Sequence, residues 1–254
     1  MGVSAVTVWL RLRRRDTRRV AGSWSAGEAG KLAAGLVHEI RNPLSTLKVN
    51  LDLLTEDWAE ARQRDDPDLP RRSLVRLESV RGEAVRLGNT LDAFMRLVSH
   101  HELNLGKTDL NDVVRHLVDF YAPQMANSNI KLRVSLSPEP LVCQLDGDLM
   151  RQALVNLVLN AQQAMPDGGE LIVRSARDQS DNARLDIADT GCGIQLEDID
   201  RIWQPYYSTK KGGSGLGLPM ARRIVLEHDG SIDVSSQPGR GTSFTIRLPL
   251  ADRR

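Results

Sequence analysis

Two apolar stripes of helical period, divided by a break rich in proline and aspartate, constrain this chain more than any other feature. From Ala26 to about Arg62, the residues Leu32, Leu36, Ile40, Leu44, Leu47, Leu51, Leu54 and Trp58 recur at steps of three and four. That spacing lays them along one face of a helix. Residues 64–70 (RDDPDLP) interrupt the pattern with two prolines and a cluster of aspartates. Leu74, Leu77, Val80, Ala84, Leu87, Leu91, Phe94 and Val98 then form a second stripe of the same period. Two long amphipathic helices and a short loop predict an antiparallel helical hairpin. A lone hairpin buries only one seam, so the stripes predict a second copy and a four-helix bundle, a homodimer.

After His101 the period changes. Asp109 is a fitting N-cap for a helix over 110–125. Strands are expected at 130–136, 141–145, 170–175, 183–189, 232–235 and 242–248, and helices at 148–165 and 216–228. This mix predicts a two-layer α/β sandwich after the hairpin, an α + α/β chain. The expected division is 1–25 as a lead-in, 26–103 as the hairpin and 104–254 as the second domain. The length of 254 residues accommodates both.

Composition narrows the function classes. A net charge of +1 gives no general pull toward nucleic acid, and 4% aromatic residues argue against a base-stacking platform. Cys143 and Cys192 form no close pair and read as reduced thiols of a cytoplasmic protein. The apolar run from Val3 to Leu10 is too short to span a membrane and is followed by six arginines. Two readings of it stay open. One is a simple lead-in; the other is the inner end of a membrane segment, with the arginines on the cytoplasmic side.

Four motifs carry the chemistry. The first is HEIRNP, His38 to Pro43. Relative to Leu36, His38 is turned by about 200° and is expected to point away from the seam. An exposed imidazole on a rigid helix is a nucleophile. Glu39 is placed to take a ring proton or fix the tautomer, and Asn42 lies one turn on, on the His38 face. Pro43 removes a backbone donor and predicts a bend. A zinc-protease reading fails because Asn42 stands where a second histidine is needed.

The second motif, NLVLNA, sets Asn156 and Asn160 on one side of an otherwise apolar helix, where amides call for a ligand. The third, DTGCGI, ends a strand. Gly191 and Gly193 allow a close backbone approach to a ligand, and Asp189 can accept from an amino group such as that of adenine. The fourth, STKKGGSGLGL, runs a glycine-rich loop (Gly213, Gly215, Gly217) into a helix whose N-terminus suits phosphate, with Lys210 adding charge. Gly106-Lys107-Thr108 is not a phosphate loop, because the required upstream glycine position holds His101.

Taken in this order, the motifs resemble the sensor histidine kinases of two-component systems. HEIRNP is similar to the H-box, NLVLNA to the N-box, and DTGCGI and GGSGLGL to the two glycine boxes; IWQPYYSTK resembles the segment between those glycine boxes. The details resemble most the nitrogen-regulation type. The resemblance implies an ATP-dependent autokinase that phosphorylates His38, with Glu39 as general base and Asn42 orienting water in dephosphorylation of the partner. It implies Mg²⁺ on Asn160 supported by Asn156, adenine on Asp189 with Gly191 and Gly193 shaping its pocket, and Lys210, Gly213, Gly215 and Gly217 over the phosphates. The implied partner is a response-regulator receiver domain; the sensor input is not legible. Trp203, Tyr206 and Tyr207 stand where phenylalanine is usual, and His228-Asp229-Gly230 replaces the common His-Gly-Gly. Two rival readings remain: an ATPase or serine kinase of the same superfamily, and a nucleotide-binding dimeric scaffold.

Overall fold

The computed structural model describes residues 26–61, 68–98, 103–210 and 213–251. Helix α1 spans Ala26–Ala61 and α2 spans Leu69–Val98. Asp57, near the end of α1, pairs with Arg76 at 2.8 Å near the start of α2, so the two helices run antiparallel. The second helix starts earlier than its apolar stripe predicts, because Leu69 and Pro70 form its first turn. There a missing N–H removes no helical bond. α1 continues through Pro43, which is buried.

Only part of each predicted stripe is covered. Leu54 is buried and Leu36, Ile40, Leu47, Val80 and Leu87 are half-buried, together with buried Pro43, Leu69, Ser73 and Thr90 and half-buried Asn50, Asp57, Arg76 and Glu83. Leu44, Leu51, Trp58, Leu74, Leu77 and Leu91 of the stripes stay 44–62% exposed. Residues at mixed steps of three and four cover a wider arc than one partner helix can bury, so part of each stripe faces away. Each such leucine forgoes about half of the roughly 1.5–3 kcal/mol that full burial supplies.

The second unit begins with β1 (Gly106–Asp109), α3 (Leu110–Asn127), β2 (Ile130–Ser135), β3 (Val142–Leu145) and α4 (Gly147–Ala164). It continues with β4 (Gly169–Arg177), β5 (Asn182–Asp189), α5 (Gly217–Glu227), β6 (Ser231–Gln237) and β7 (Gly241–Pro249). Five strands form one sheet in the order β2-β4-β5-β7-β6, with β2 parallel to β4 and every other pairing antiparallel. The Gly106-Lys107-Thr108 stretch is a strand that sequence reading missed; β1 pairs with β3 in a separate two-stranded ribbon. Alternate residues of the central strands are buried: Leu171 and Val173 on β4, Leu185 and Ile187 on β5, Phe244 and Ile246 on β7. They meet the apolar faces of α3, α4 and α5 in one core, the expected two-layer sandwich. The opposite sheet face is polar, as in the Thr245–Asp186 hydrogen bond (2.6 Å) and the Arg247–Asp233 ion pair (2.5 Å).

Two aspartates start the helices that matter. Asp109 caps α3 by accepting from Asn111 N–H. Asp146 caps α4 by accepting from the N–H groups of Asp148 and Leu149, and also accepts from Asn104 N–H in the connection from the hairpin. The backbone N–H of Asp146 donates to His228 Nε2 (2.9 Å), so the ring proton sits on Nδ1 and is donated to Ile224 O (2.7 Å). Buried His228 therefore ties the start of α4 to the end of α5. Asp229 follows in the left-handed region (φ 54°). A side chain at Gly230 would meet Arg247 O at 2.7 Å.

Candidate active site

The site lies where α4, the end of β5 and the segment before α5 converge. α4 is apolar on its core side, and Asn156 and Asn160 lie half-buried at its margin. Asp189 ends β5 on the core face and is 7% exposed. Its Oδ1 accepts from Gly191 N–H (2.9 Å) and Thr242 N–H (3.3 Å). Burial pushes the Asp189 carboxyl pKa up, against the pull of those two donors and of Lys210. Thr242, opposite Asp189 in the β5–β7 register, is a supporting residue that sequence reading missed.

The glycines of the third motif are required by the chain packed around them. A Cβ at Gly191 would sit 2.5 Å from Ala164 O at the end of α4. Gly193 has φ 71°, and its Cβ would overlap Gln237 O in the β6–β7 turn. Both positions are closed by the protein's own backbone, so the loop is pinned beneath the site. In the fourth motif, Gly213 is crowded by Ser208 Oγ at 2.5 Å, and Gly215 (φ 65°) packs on the Tyr206 backbone. Gly217 differs: its Cβ would be 3.7 Å from the Asn156 side chain, an ordinary contact. Gly217 is thus the glycine whose missing side chain leaves room beside Asn156.

Lys210 reaches across to α4. Its Nζ donates to Asn160 Oδ1 (2.7 Å) and to Asn160 O (2.8 Å). Burial pulls the ammonium pKa down, while Cys192 and Asp189 pull it up. An amide oxygen that receives an ammonium is chemically fit to face a metal ion. Among the described residues no group of three or more His, Cys, Asp or Glu could hold a metal. A magnesium ion at Asn160 would therefore take most of its ligands from phosphate and water, as it commonly does.

The aromatic residues between the two glycine motifs divide their work. Trp203 packs edge-on to Phe244 at 6.0 Å and carries Arg222 over its ring at 5.4 Å. Tyr207 donates to Asp198 and lies under Arg201, 4.2 Å from the ring centre. Tyr206, at φ 64°, turns toward the hairpin: its ring fills the space where a side chain at Gly35 would be. Burial first, and then the charge of Glu39, push the Tyr206 hydroxyl up to about 12. The sandwich thus rests on α1 three residues before His38. Nothing in the sequence marked Gly35. Glu39 is half-buried and Asn42 exposed on the same helix; the expected outward direction of the His38 ring lies outside the described side chains, as does Lys211.

Residues 28–102 match the His Kinase A (phospho-acceptor) domain, and residues 145–252 match the histidine kinase-, DNA gyrase B- and HSP90-like ATPase family. Together they define the class: a phospho-acceptor hairpin joined to an ATPase domain. The chain is 34% identical over 256 residues to sensor histidine kinase ZraS of Klebsiella oxytoca, covering 98% of this chain and 54% of that one. It is 30% identical to sporulation kinase E of Bacillus subtilis, covering 94% of this chain and 30% of that one. Among solved structures, the catalytic domain of histidine kinase ThkA matches with TM-score 0.54 at 28% identity, over 58% of this chain and 97% of that one. ThkA in complex with the response regulator TrrA shares the fold with TM-score 0.71 at 24% identity, over 89% of this chain and 63% of that one. The chain belongs to the sensor histidine kinases of two-component systems. It spans about half the length of the ZraS relatives it matches. Among the described residues no helix is long and apolar enough to cross a membrane.

Proposed function

We propose that this chain is an ATP-dependent autokinase core that phosphorylates His38 and passes the phosphoryl group to an aspartate of a response-regulator receiver domain. One observation carries the reading: Tyr206, in the segment bordering the nucleotide site, packs on Gly35 of the helix that bears His38. One chain thereby brings both halves of a transfer reaction together. ATP is the substrate, with adenine recognised by Asp189 in the pocket shaped by Gly191 and Gly193. The phosphates lie toward Asn156, Asn160, Lys210 and the start of α5 at Gly213, Gly215 and Gly217. A divalent cation held on Asn160 would neutralise phosphate charge.

An imidazole nitrogen of His38 attacks the γ-phosphorus, the bond to the bridging oxygen breaks, and ADP leaves. Glu39 takes the proton from the other ring nitrogen. Positioning and charge neutralisation supply most of the catalysis in such a transfer. Asn42, exposed one turn beyond His38, orients water when the same chain dephosphorylates its partner. The exposed leucines of α1 and α2 are the face on which a second copy completes a four-helix bundle. The functional division falls between residues 103 and 104.

Incubation with γ-labelled ATP and Mg²⁺ tests the reading. Wild-type protein should take up label that acid removes and alkali does not, and His38→Ala should take up none. Acid-stable label, or label persisting in the variant, points to the serine-kinase alternative. Absence of Mg-ATP binding points to the scaffold.

A further inference from the structure

Lys210 and Asn160 were each expected to face a different part of the bound substrate, yet here they bind each other. The ammonium donates to two oxygens of one residue, Asn160 Oδ1 at 2.7 Å and Asn160 O at 2.8 Å. Asn160 lies just before the last turn of α4, toward the helix end whose dipole favours a cation. Asp189 adds attraction from the end of β5. The wall of the site formed by Asn160 therefore already carries a positive charge, supplied by the protein.

That oxygen is also the one assigned above to the metal. An ammonium and a divalent cation held on one amide oxygen repel each other at this range, so the two arrangements compete. We propose that Lys210 is a tethered stand-in for the divalent cation: its ammonium and Mg²⁺ occupy Asn160 in turn, and Mg-nucleotide moves Lys210 off α4 and onto the phosphates. The inference rests on the reading of Asn160 as the metal-side ligand. Its consequence is a response to the metal form of the nucleotide. Nucleotide without metal leaves Lys210 on Asn160; nucleotide with metal releases it, and with it the Tyr207-to-Lys210 stretch that leads back to the α1 contact.

The chain has six lysines, so ¹³Cε-lysine labelling gives a spectrum simple enough to follow. The Lys210 signal is assigned with Lys210→Arg. In wild-type protein the signal should stand apart from the solvent lysines. It should hold that position at saturation with the β,γ-imido analogue of ATP in EDTA, and move when Mg²⁺ is added at the same saturation. In metal-free Asn160→Ala, which keeps only the backbone oxygen of the pair, it should shift toward the solvent-lysine position. A wild-type signal already at that position, or one that shifts equally with and without Mg²⁺, overturns the proposal. Those comparisons need no variant beyond the assignment, so misfolding of Asn160→Ala leaves the test intact. Calorimetry on the same samples separates the two layers. Where Asn160→Ala abolishes the Mg²⁺ dependence of affinity but Lys210 never moves, the metal reading stands and the exchange falls. Where the Mg²⁺ dependence survives Asn160→Ala, both fall.

Discussion

Asp189→Asn separates recognition from folding. Oδ1 of Asp189 accepts from two backbone N–H groups, at 2.9 and 3.3 Å, and an asparagine keeps an oxygen for both. What changes is the other carboxylate oxygen, which becomes an amide NH₂. Burial already opposes the charge on Asp189, so a neutral amide relieves that cost and the fold should be as stable as before or more so. A nucleotide whose exocyclic amine donates to the carboxylate loses a charge-assisted hydrogen bond and meets a donor instead. Such a bond contributes about 1.5–3 kcal/mol. At about 1.4 kcal/mol per tenfold, Kd for Mg-ADP should rise about 10- to 150-fold. Calorimetric titration with Mg-ADP reads the affinity, and urea denaturation reads the fold. Affinity within twofold of wild type refutes the assignment of Asp189 to the adenine. A large drop in the urea midpoint shows instead that its role is to hold the Gly191 turn.

Gly217→Ala should fold at least as well as wild type, by up to about 1 kcal/mol, because the new methyl finds only ordinary contact with Asn156. Mg-ATP affinity should fall about 5- to 150-fold, the effect of crowding a closely approached ligand by about 1–3 kcal/mol; unchanged affinity shows that the phosphates lie elsewhere. Gly35→Ala drives a methyl into the Tyr206 ring, so autophosphorylation should fall about tenfold while Kd for Mg-ADP holds. An unaltered rate in that variant dissociates the α1 contact from the reaction. Stability should have an acid limb set partly by Asp146. Burial raises its pKa, but the N–H groups of Leu149, Asn104 and Asp148 outweigh burial and hold it below the ordinary 3.8. A depressed carboxylate stabilises fully above its unfolded value and loses that contribution as pH falls through the folded one. The urea midpoint should therefore stay level above about pH 4 and drop below it, and Asp146→Asn should flatten that drop. An equally steep drop in the variant excludes Asp146 as a cause.

Much of the fold is legible because its signals are local. Asp109 announces the start of α3, and the alternation through residues 183–189 reveals β5 before any partner strand is known. β1 is not legible: four residues carry too little alternation, and its identity depends on pairing with β3. The stripes reveal two helices but not which part of each meets the other. The actual seam includes Asn50, Asp57, Arg76 and Glu83, polar residues that pattern reading sends to solvent. Gly191 and Gly193 are legible as necessary glycines, but the nearby chain that crowds them (Ala164 and Gln237) is not. Gly35 is silent in sequence because its partner, Tyr206, is distant along the chain. The Lys210–Asn160 bond is silent for the same reason, since each residue alone suggests a ligand outside the protein.

Locating the phosphoryl group tests the central claim most directly. After incubation with Mg-ATP, ³¹P–¹H correlation at neutral pH should show one phosphorus coupled to imidazole ring protons, with tandem mass spectrometry placing it on His38. Phosphorus bound to a serine or threonine oxygen, or a phosphoimidazole at His100, His101, His116 or His228 in place of His38, contradicts the account.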